Sequence, residues 1–362
     1  MRDLFATLDR WRGEGQEVAL ATLVQVFGTA PRLPGARMLI AADGRMAGSV
    51  SGGCVENDVA VRAARVLASG APTLVRYGIA DDSDLAVGLT CAEIEVLIEP
   101  WRAGAAWDAV RTALAAGAPV VLAVAIEPAD QAGWSVALAA DGSFSGEAPA
   151  TVATAARGML GTRAVSVLAL DADPRAARVF LEAFPRPERL IVNGGTHVAV
   201  VLARMAKQVG MHVTVIDARS AYLSRERFPD ADELVHAAPA RALAAIDLAG
   251  AAVVSLTHDL KLDVPALAAA LAGGAAYVGA MGSLRTHEKR CRELIGAGVD
   301  AGAIARIRTP IGLDIGGRTP EEMAVAILAE ILAVRSGRDA RPLREHGIVH
   351  DQGRAARLRG AR

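Results

Sequence analysis

Only three cysteines, Cys54, Cys91 and Cys291, occur in 362 residues, and they stand far apart. So few, and odd in number, they argue against a disulfide framework or a cysteine-rich zinc site, and a reducing cytoplasm is the expected compartment. An excess of charge is lacking too. The chain has 39 basic and 40 acidic residues, a formal net charge of −1, so it lacks the basic footprint of a nucleic-acid binder. Long apolar runs are missing: the longest, such as Val120–Ile126, fall far short of the roughly 20 residues that cross a bilayer. Residues 1–20 hold no apolar core of signal-peptide type, because Arg2, Arg10 and Arg12 are scattered among acids. No Ser-His-Asp order, Cys-His pairing or carboxylate pair stands out for turnover chemistry.

What the chain has is length and apolar content enough for two domains with cores of their own. The expected fold class is α/β. Residues 1–170 read as an N-terminal α+β domain with mixed or antiparallel strands. Its strands fall at 18–26, 73–77, 93–98 and 119–126, with hairpins turning at Asp43-Gly44 and Asp141-Gly142. Within it, 51–70 is a glycine turn leading into an amphipathic helix. Residues 171–188, with prolines and mixed charge, read as a linker. From 189 to 335 strands (189–193, 212–217, 233–236, 251–257, 275–280) alternate with helices (197–208, 264–272, 285–296). That rhythm predicts a Rossmann-like, doubly wound parallel sheet. Residues 336–362 form a basic, irregular tail.

Three segments carry candidate chemistry. In "VNGGTHVA" a strand enters a turn of Gly194, Gly195, Thr196 and His197. Such a turn places backbone N–H groups and a helix N-terminus against phosphate. Thr196 stands where the second glycine of a dinucleotide fingerprint belongs; Asp217, near Arg219, ends the next strand where an acid meets a ribose hydroxyl. A plain tight turn and a nucleotide site both remain open, and an NAD(P)-dependent oxidoreductase is the alternative reading. In "SVSGGCVE", Gly52 and Gly53 enter a helix with Cys54 at its first turn, where the dipole favours a thiolate as nucleophile or soft metal ligand. Arg37 and Ser51 are the candidates to hold an anion beside it; the plainer reading is a small packed cysteine. At later strand ends stand His258 and Asp259, then Gly282, Ser283 and Arg285, a set suited to phosphate. "PIGLDIGG", with Gly312 and Asp314, reads as a ligand-lining loop ahead of a capping box at Thr319–Glu322. His346 and His350 have i,i+4 spacing and no third ligand in sight.

In combination these motifs resemble the xanthine dehydrogenase accessory factor family (XdhC/CoxI). The resemblance runs through Pro34–Ile40, Gly48–Glu56, Val192–Ala199, Val213–Arg219, Glu226–Asp232, Leu256–Leu267, Tyr277–Thr286 and Pro310–Ile331, in order along nearly the whole chain. Thr196 replaces a family glycine, Arg37 a common lysine, and Thr-Cys-Ala-Glu at 90–93 a Cys-Gly-Gly turn. The resemblance implies a dimeric chaperone more than a turnover enzyme. Its cargo would be the molybdenum cofactor, as molybdopterin or its cytosine dinucleotide form. Its partners would be an apo molybdenum hydroxylase such as xanthine, aldehyde or carbon monoxide dehydrogenase, a cysteine desulfurase that sulfurates the metal, and a cofactor cytidylyltransferase.

Overall fold

The computed structural model describes residues 1–28, 30–78, 92–127, 134–170, 178–257 and 259–345, apart from the side chains of residues 2, 3 and 92. The chain divides into two compact units, Met1–Arg186 and Pro187–Arg362. The candidates Cys91, His258, His346 and His350 lie outside the described residues.

Unit 1 opens with α1 (Arg2–Gly13), β1 (Val18–Gly28), β2 (Arg37–Ala41) and β3 (Met46–Gly48). It continues through α2 (Glu56–Ser69), β4 (Thr73–Tyr77), β5 (Ala92–Pro100) and α3 (Ala105–Ala116), then β6 (Val120–Glu127), β7 (Ser135–Leu138), α4 (Ala150–Met159), β8 (Val165–Ala169) and β9 (Arg178–Phe184). The strands form two sheets, β3-β2-β1-β5-β4 and β7-β6-β9-β8, antiparallel at every pair. Strand alternation explains the layering. β5 turns Ile94, Val96 and Ile98 toward Val59, Ala63 and Val66 of α2. Its other face joins Leu97 to a core of Phe5, Trp107, Leu122 and Phe180, which links α1, α3 and both sheets.

The linker expected at 171–188 is corrected by the structure. Residues 178–184 form β9 between β6 and β8 and bury Val179, Phe180 and Leu181. Residues 171–177 lie outside the described residues, and Pro185 and Pro187 follow this strand instead of interrupting it, which is where a residue without an N–H is tolerated.

Unit 2 carries β10 (Arg189–Asn193), α5 (His197–Gln208), β11 (His212–Asp217), β12 (Glu233–His236), α6 (Pro239–Ala244), β13 (Ala252–Ser255) and α7 (Leu260–Ala272). After these come β14 (Tyr277–Ala280), α8 (Leu284–Gly296), α9 (Ala301–Ile304), β15 (Ile307–Arg308) and α10 (Pro320–Arg335). The sheet is parallel throughout, in the order β12-β11-β10-β13-β14-β15. This is the doubly wound order, whose direction reverses between β10 and β13. Leu190 and Val192 face α5 and α10, while Ile191 faces the α6–α8 side, so the central strand β10 is buried on both faces. Among the described residues no helix is long and apolar enough to cross a membrane.

A buried polar chain fixes the reversal point. Asn193 Nδ2 donates to Ser255 Oγ at 2.8 Å, and Ser255 Oγ donates to Asp263 Oδ1 at 2.7 Å. Thr257 donates to the same oxygen. Arg290 grips Asp263 Oδ2 through Nε at 3.1 Å and Nη2 at 2.7 Å, with both side chains fully buried. The pair ties α7 and α8 to the ends of β13 and β14. Removing one partner leaves a buried charge alone, whereas an apolar pair of similar volume removes both charges together. Asp263→Ala is therefore expected to lower stability by about 3–5 kcal/mol, and Asp263→Leu with Arg290→Met to recover most of that. Thermal unfolding midpoints of the three chains check this; equal midpoints for wild type and Asp263→Ala would contradict it.

Candidate functional site

In unit 2 the candidate residues gather at the C-terminal ends of the central parallel strands. Gly194 has φ +104°, and a Cβ there would lie 2.7 Å from Thr257 Cγ2, so the turn after β10 touches the end of β13 and only glycine fits. Thr196 has an ordinary φ of −76° and caps α5, its hydroxyl accepting from Ala199 N–H at 3.3 Å. The side chain that breaks the dinucleotide fingerprint is thus a helix cap. The first N–H groups of α5, at exposed His197 and at Val198, keep no intrahelical acceptor.

Asp217 closes the other side of this turn. Its Oδ2 accepts from Gly195 N–H and from Arg219 Nη2, each at 2.8 Å. Its Oδ1 accepts from Arg219 N–H at 2.8 Å and from Nε at 3.0 Å. Burial pushes the Asp217 carboxyl up, and the hydrogen bonds from Arg219 and Gly195 outweigh that and leave it below its usual range. All four lone-pair positions are filled from within the chain. This corrects the expectation that Asp217 awaits a ribose hydroxyl. The half-exposed Arg219 guanidinium lies 3.8 Å from the Tyr222 ring centroid, and Arg227 donates to Gly195 O and Tyr222 O, both at 2.9 Å. Neither Tyr222 nor Arg227 is marked by the sequence reading, although Arg227 falls inside a family-like motif.

More candidates stand at neighbouring strand ends. Asp259 caps α7 and is exposed. Ser283 caps α8, accepting from Thr286 N–H at 3.2 Å, with Gly282 before it and exposed Arg285 in the first turn. Gly312 takes a structural part instead: its N–H donates to Glu330 Oε2 at 2.8 Å, and a Cβ would lie 3.1 Å from the Ala326 backbone of α10. Asp314 in the same loop is exposed.

In unit 1 the glycine loop before α2 wraps a carboxylate of its own. Glu56 Oε1 accepts from Ser49 Oγ at 2.6 Å and from the N–H groups of Val50, Ser51 and Gly52 at 2.9–3.2 Å. Its Oε2 accepts from Ser51 Oγ at 2.5 Å, Gly53 N–H at 2.9 Å and Val55 N–H at 3.2 Å. Ser51 is buried and also accepts from Cys54 N–H at 3.0 Å. The loop's donors are therefore spent on Glu56 and not on an outside anion, a role the sequence reading does not assign.

Arg37 departs further from expectation. It is buried, pairs with Glu182, donates to Gly35 O at 3.0 Å and lies 5.4 Å from the Trp107 ring centroid. A guanidinium so engaged is a core ion pair, not an anion holder beside Cys54. Cys54 itself stands one residue before the Val55 N-cap of α2, outside the first turn, and is free and exposed with Gly52 and Gly53. The plainer reading of a packed thiol does not hold. No cluster of three metal-ligating side chains occurs among the described residues.

Burial alone raises the Glu56 carboxyl, but the hydroxyl and backbone bonds of Ser49 and Ser51 hold it at about 2 instead of 4.5. A carboxyl lowered on folding stabilises above its unfolded pKa and loses that contribution as pH falls to its folded pKa. Discounted for partial exposure, the lock contributes about 2 kcal/mol at neutral pH. Glu56→Gln is expected to unfold at lower temperature than wild type at pH 7, with the gap closing between pH 4.5 and about pH 2. A gap independent of pH would contradict the lock.

Similarity to known proteins follows the same two units. The XdhC and CoxI family matches residues 11–78, and the XdhC Rossmann domain matches residues 190–331. A Bacillus subtilis protein named as a probable xanthine dehydrogenase subunit is 31% identical over 344 residues, covering 92% of this chain and 98% of that protein. The molybdenum cofactor insertion chaperone PaoD of Escherichia coli is 28% identical over 325 residues, covering 89% of this chain and 84% of its own. A crystal structure of a xanthine dehydrogenase from Bacillus halodurans aligns with a TM-score of 0.74 at 26% identity, over 94% of this chain and 98% of that one. The chain belongs to the XdhC and CoxI family.

Proposed function

We propose that this protein is a molybdenum cofactor insertion chaperone: it binds the cofactor as cargo, shields it and delivers it to a molybdenum hydroxylase of the xanthine dehydrogenase type. The observation that carries the reading is the presentation of Cys54. A loop locked from within by Glu56 holds the thiol exposed instead of packing it away. A soft thiolate is a suitable ligand for a thiophilic metal. Similarity along most of the chain to a protein named for cofactor insertion supports the same reading.

Taken by themselves, the strand ends of unit 2 suit an anionic group such as a phosphate. His197, Arg219, Ser283 and Arg285 are the groups left available there, together with the N–H groups that open α5. Asp217 holds the turn that aims those donors and meets no ligand itself. Filled as it is, Asp217 gives an NAD(P)-dependent oxidoreductase no support. Binding of either molybdopterin or its cytosine dinucleotide form, sulfuration by a desulfurase partner, a cytidylyltransferase contact, dimerisation and a cytoplasmic location all belong to this proposal.

Purified protein mixed with released molybdenum cofactor is expected to carry it through gel filtration, read as oxidised-pterin fluorescence in the protein peak. Arg285→Ala is expected to weaken retention about tenfold, the loss of one charge-assisted contact. Well-folded wild-type protein that elutes without pterin would contradict the proposal.

A further inference from the structure

Unit 1 holds a second feature away from the glycine loop. A cavity of about 290 Å³ lies where the end of β5 meets the start of α3. Trp101 and Trp107 line it, with ring centroids 5.0 Å apart and planes inclined at 49°. Arg102 and Ser135 add polar lining.

Glu99 also faces this cavity. Alternation along β5 puts Glu95, Leu97 and Glu99 on one face. Glu95 accepts from Arg178 Nη2 at 2.6 Å, whereas Glu99, only 8% exposed, makes no hydrogen bond or ion pair among the described residues. Burial pushes its carboxyl up to about 7 against the opposing pull of Arg37 and Arg102. A buried carboxyl without a partner is costly, so one that faces a cavity is an acceptor waiting for donors. The opposite polarity stands nearby. The N-cap of α3 is Gly104, which offers no side chain to the N–H groups that open the helix, and Gly104 to Trp107 all line the cavity.

We propose that this cavity binds a 2-amino-4-oxopyrimidine ring, the group shared by pterins and guanine. Glu99 accepts the paired N–H groups on the ring's edge, the opening N–H groups of α3 donate to its carbonyl oxygen, and the tryptophan wall carries its face. The two oxygens of a carboxylate match two adjacent N–H donors, and indole faces accept flat heterocycles. Cavities of this size with a few converging polar groups are the usual form of a small-molecule site. The inference rests on the cofactor-binding reading only for the choice of pterin over guanine as the natural source.

Equilibrium dialysis of the full chain against pterin, lumazine, guanosine and inosine tests it; lumazine and inosine lack the 2-amino group. Wild type is expected to take up pterin saturably. Uptake should fall about tenfold or more for lumazine, and by a similar factor in Glu99→Gln and in Trp101→Ala, because each change removes one contact of the ring. Far-UV circular dichroism confirms that the variants fold. Guanosine bound in preference to pterin, with the same Glu99 dependence, keeps the site and assigns it to guanine. No saturable uptake of either ring, or uptake that both variants leave unchanged, overturns the proposal. Cofactor retention that survives Glu99→Gln undiminished overturns the assignment of this site to the cofactor's pterin while sparing the chaperone reading. Glu99-dependent pterin uptake by a chain that fails to retain cofactor overturns only the chaperone reading.

Discussion

Two of the glycine-rich turns among the described residues are closed by a carboxylate from the chain itself. Glu56 takes the N–H groups of the loop before α2, and Asp217 takes the N–H of Gly195 in the loop after β10. Backbone donors crowded into a tight turn attract negative charge strongly, and here that attraction is satisfied internally. The turns are therefore rigid before any ligand arrives. What each turn leaves exposed is its rim: Cys54 on the first loop, and, on the second, His197, Arg219 and the cap of α8. A preformed rim loses less conformational freedom on binding than a loop that must order itself.

Buried ion pairs serve the scaffold in the same way. Asp263 and Arg290 are fully buried and join two helices to the strand ends at the reversal point of the parallel sheet. In unit 1, Arg37 and Glu182 join the two antiparallel sheets across the tryptophan-lined core. Pairs of this kind fix relative position more than they add stability, since their mutual attraction mainly offsets the cost of leaving water. The positions they fix include the β10–β13 strand ends and the neighbourhood of the Glu99 cavity.

Much of the fold is legible in the sequence, most clearly in unit 2. There the alternation of short apolar runs with helical periods marks β10, α5, β11 and β12 at their observed limits. Strand β9 is hidden because the prolines around it suggest a linker, and only pairing with β6 and β8 shows that 178–184 is a strand. The fate of Arg37 is hidden for a different reason: its partner Glu182 lies far along the chain, and no local pattern announces a contact of that range. Glu56 stands in plain view three residues after Gly53. Its motif draws the eye to glycines and cysteine, and the acid that closes the loop carries no spacing signal of its own. Cys54 shows the limit of composition-based expectation, since a free cysteine is commonly packed and this one is exposed.

The central claim is that a rigid loop presents Cys54 to the metal of a bound cofactor. X-ray absorption at the molybdenum edge, recorded on the loaded protein and on loaded Cys54→Ser, tests that claim directly. The wild-type spectrum is expected to need one sulfur neighbour more than the variant. Identical sulfur shells in the two spectra would contradict the account.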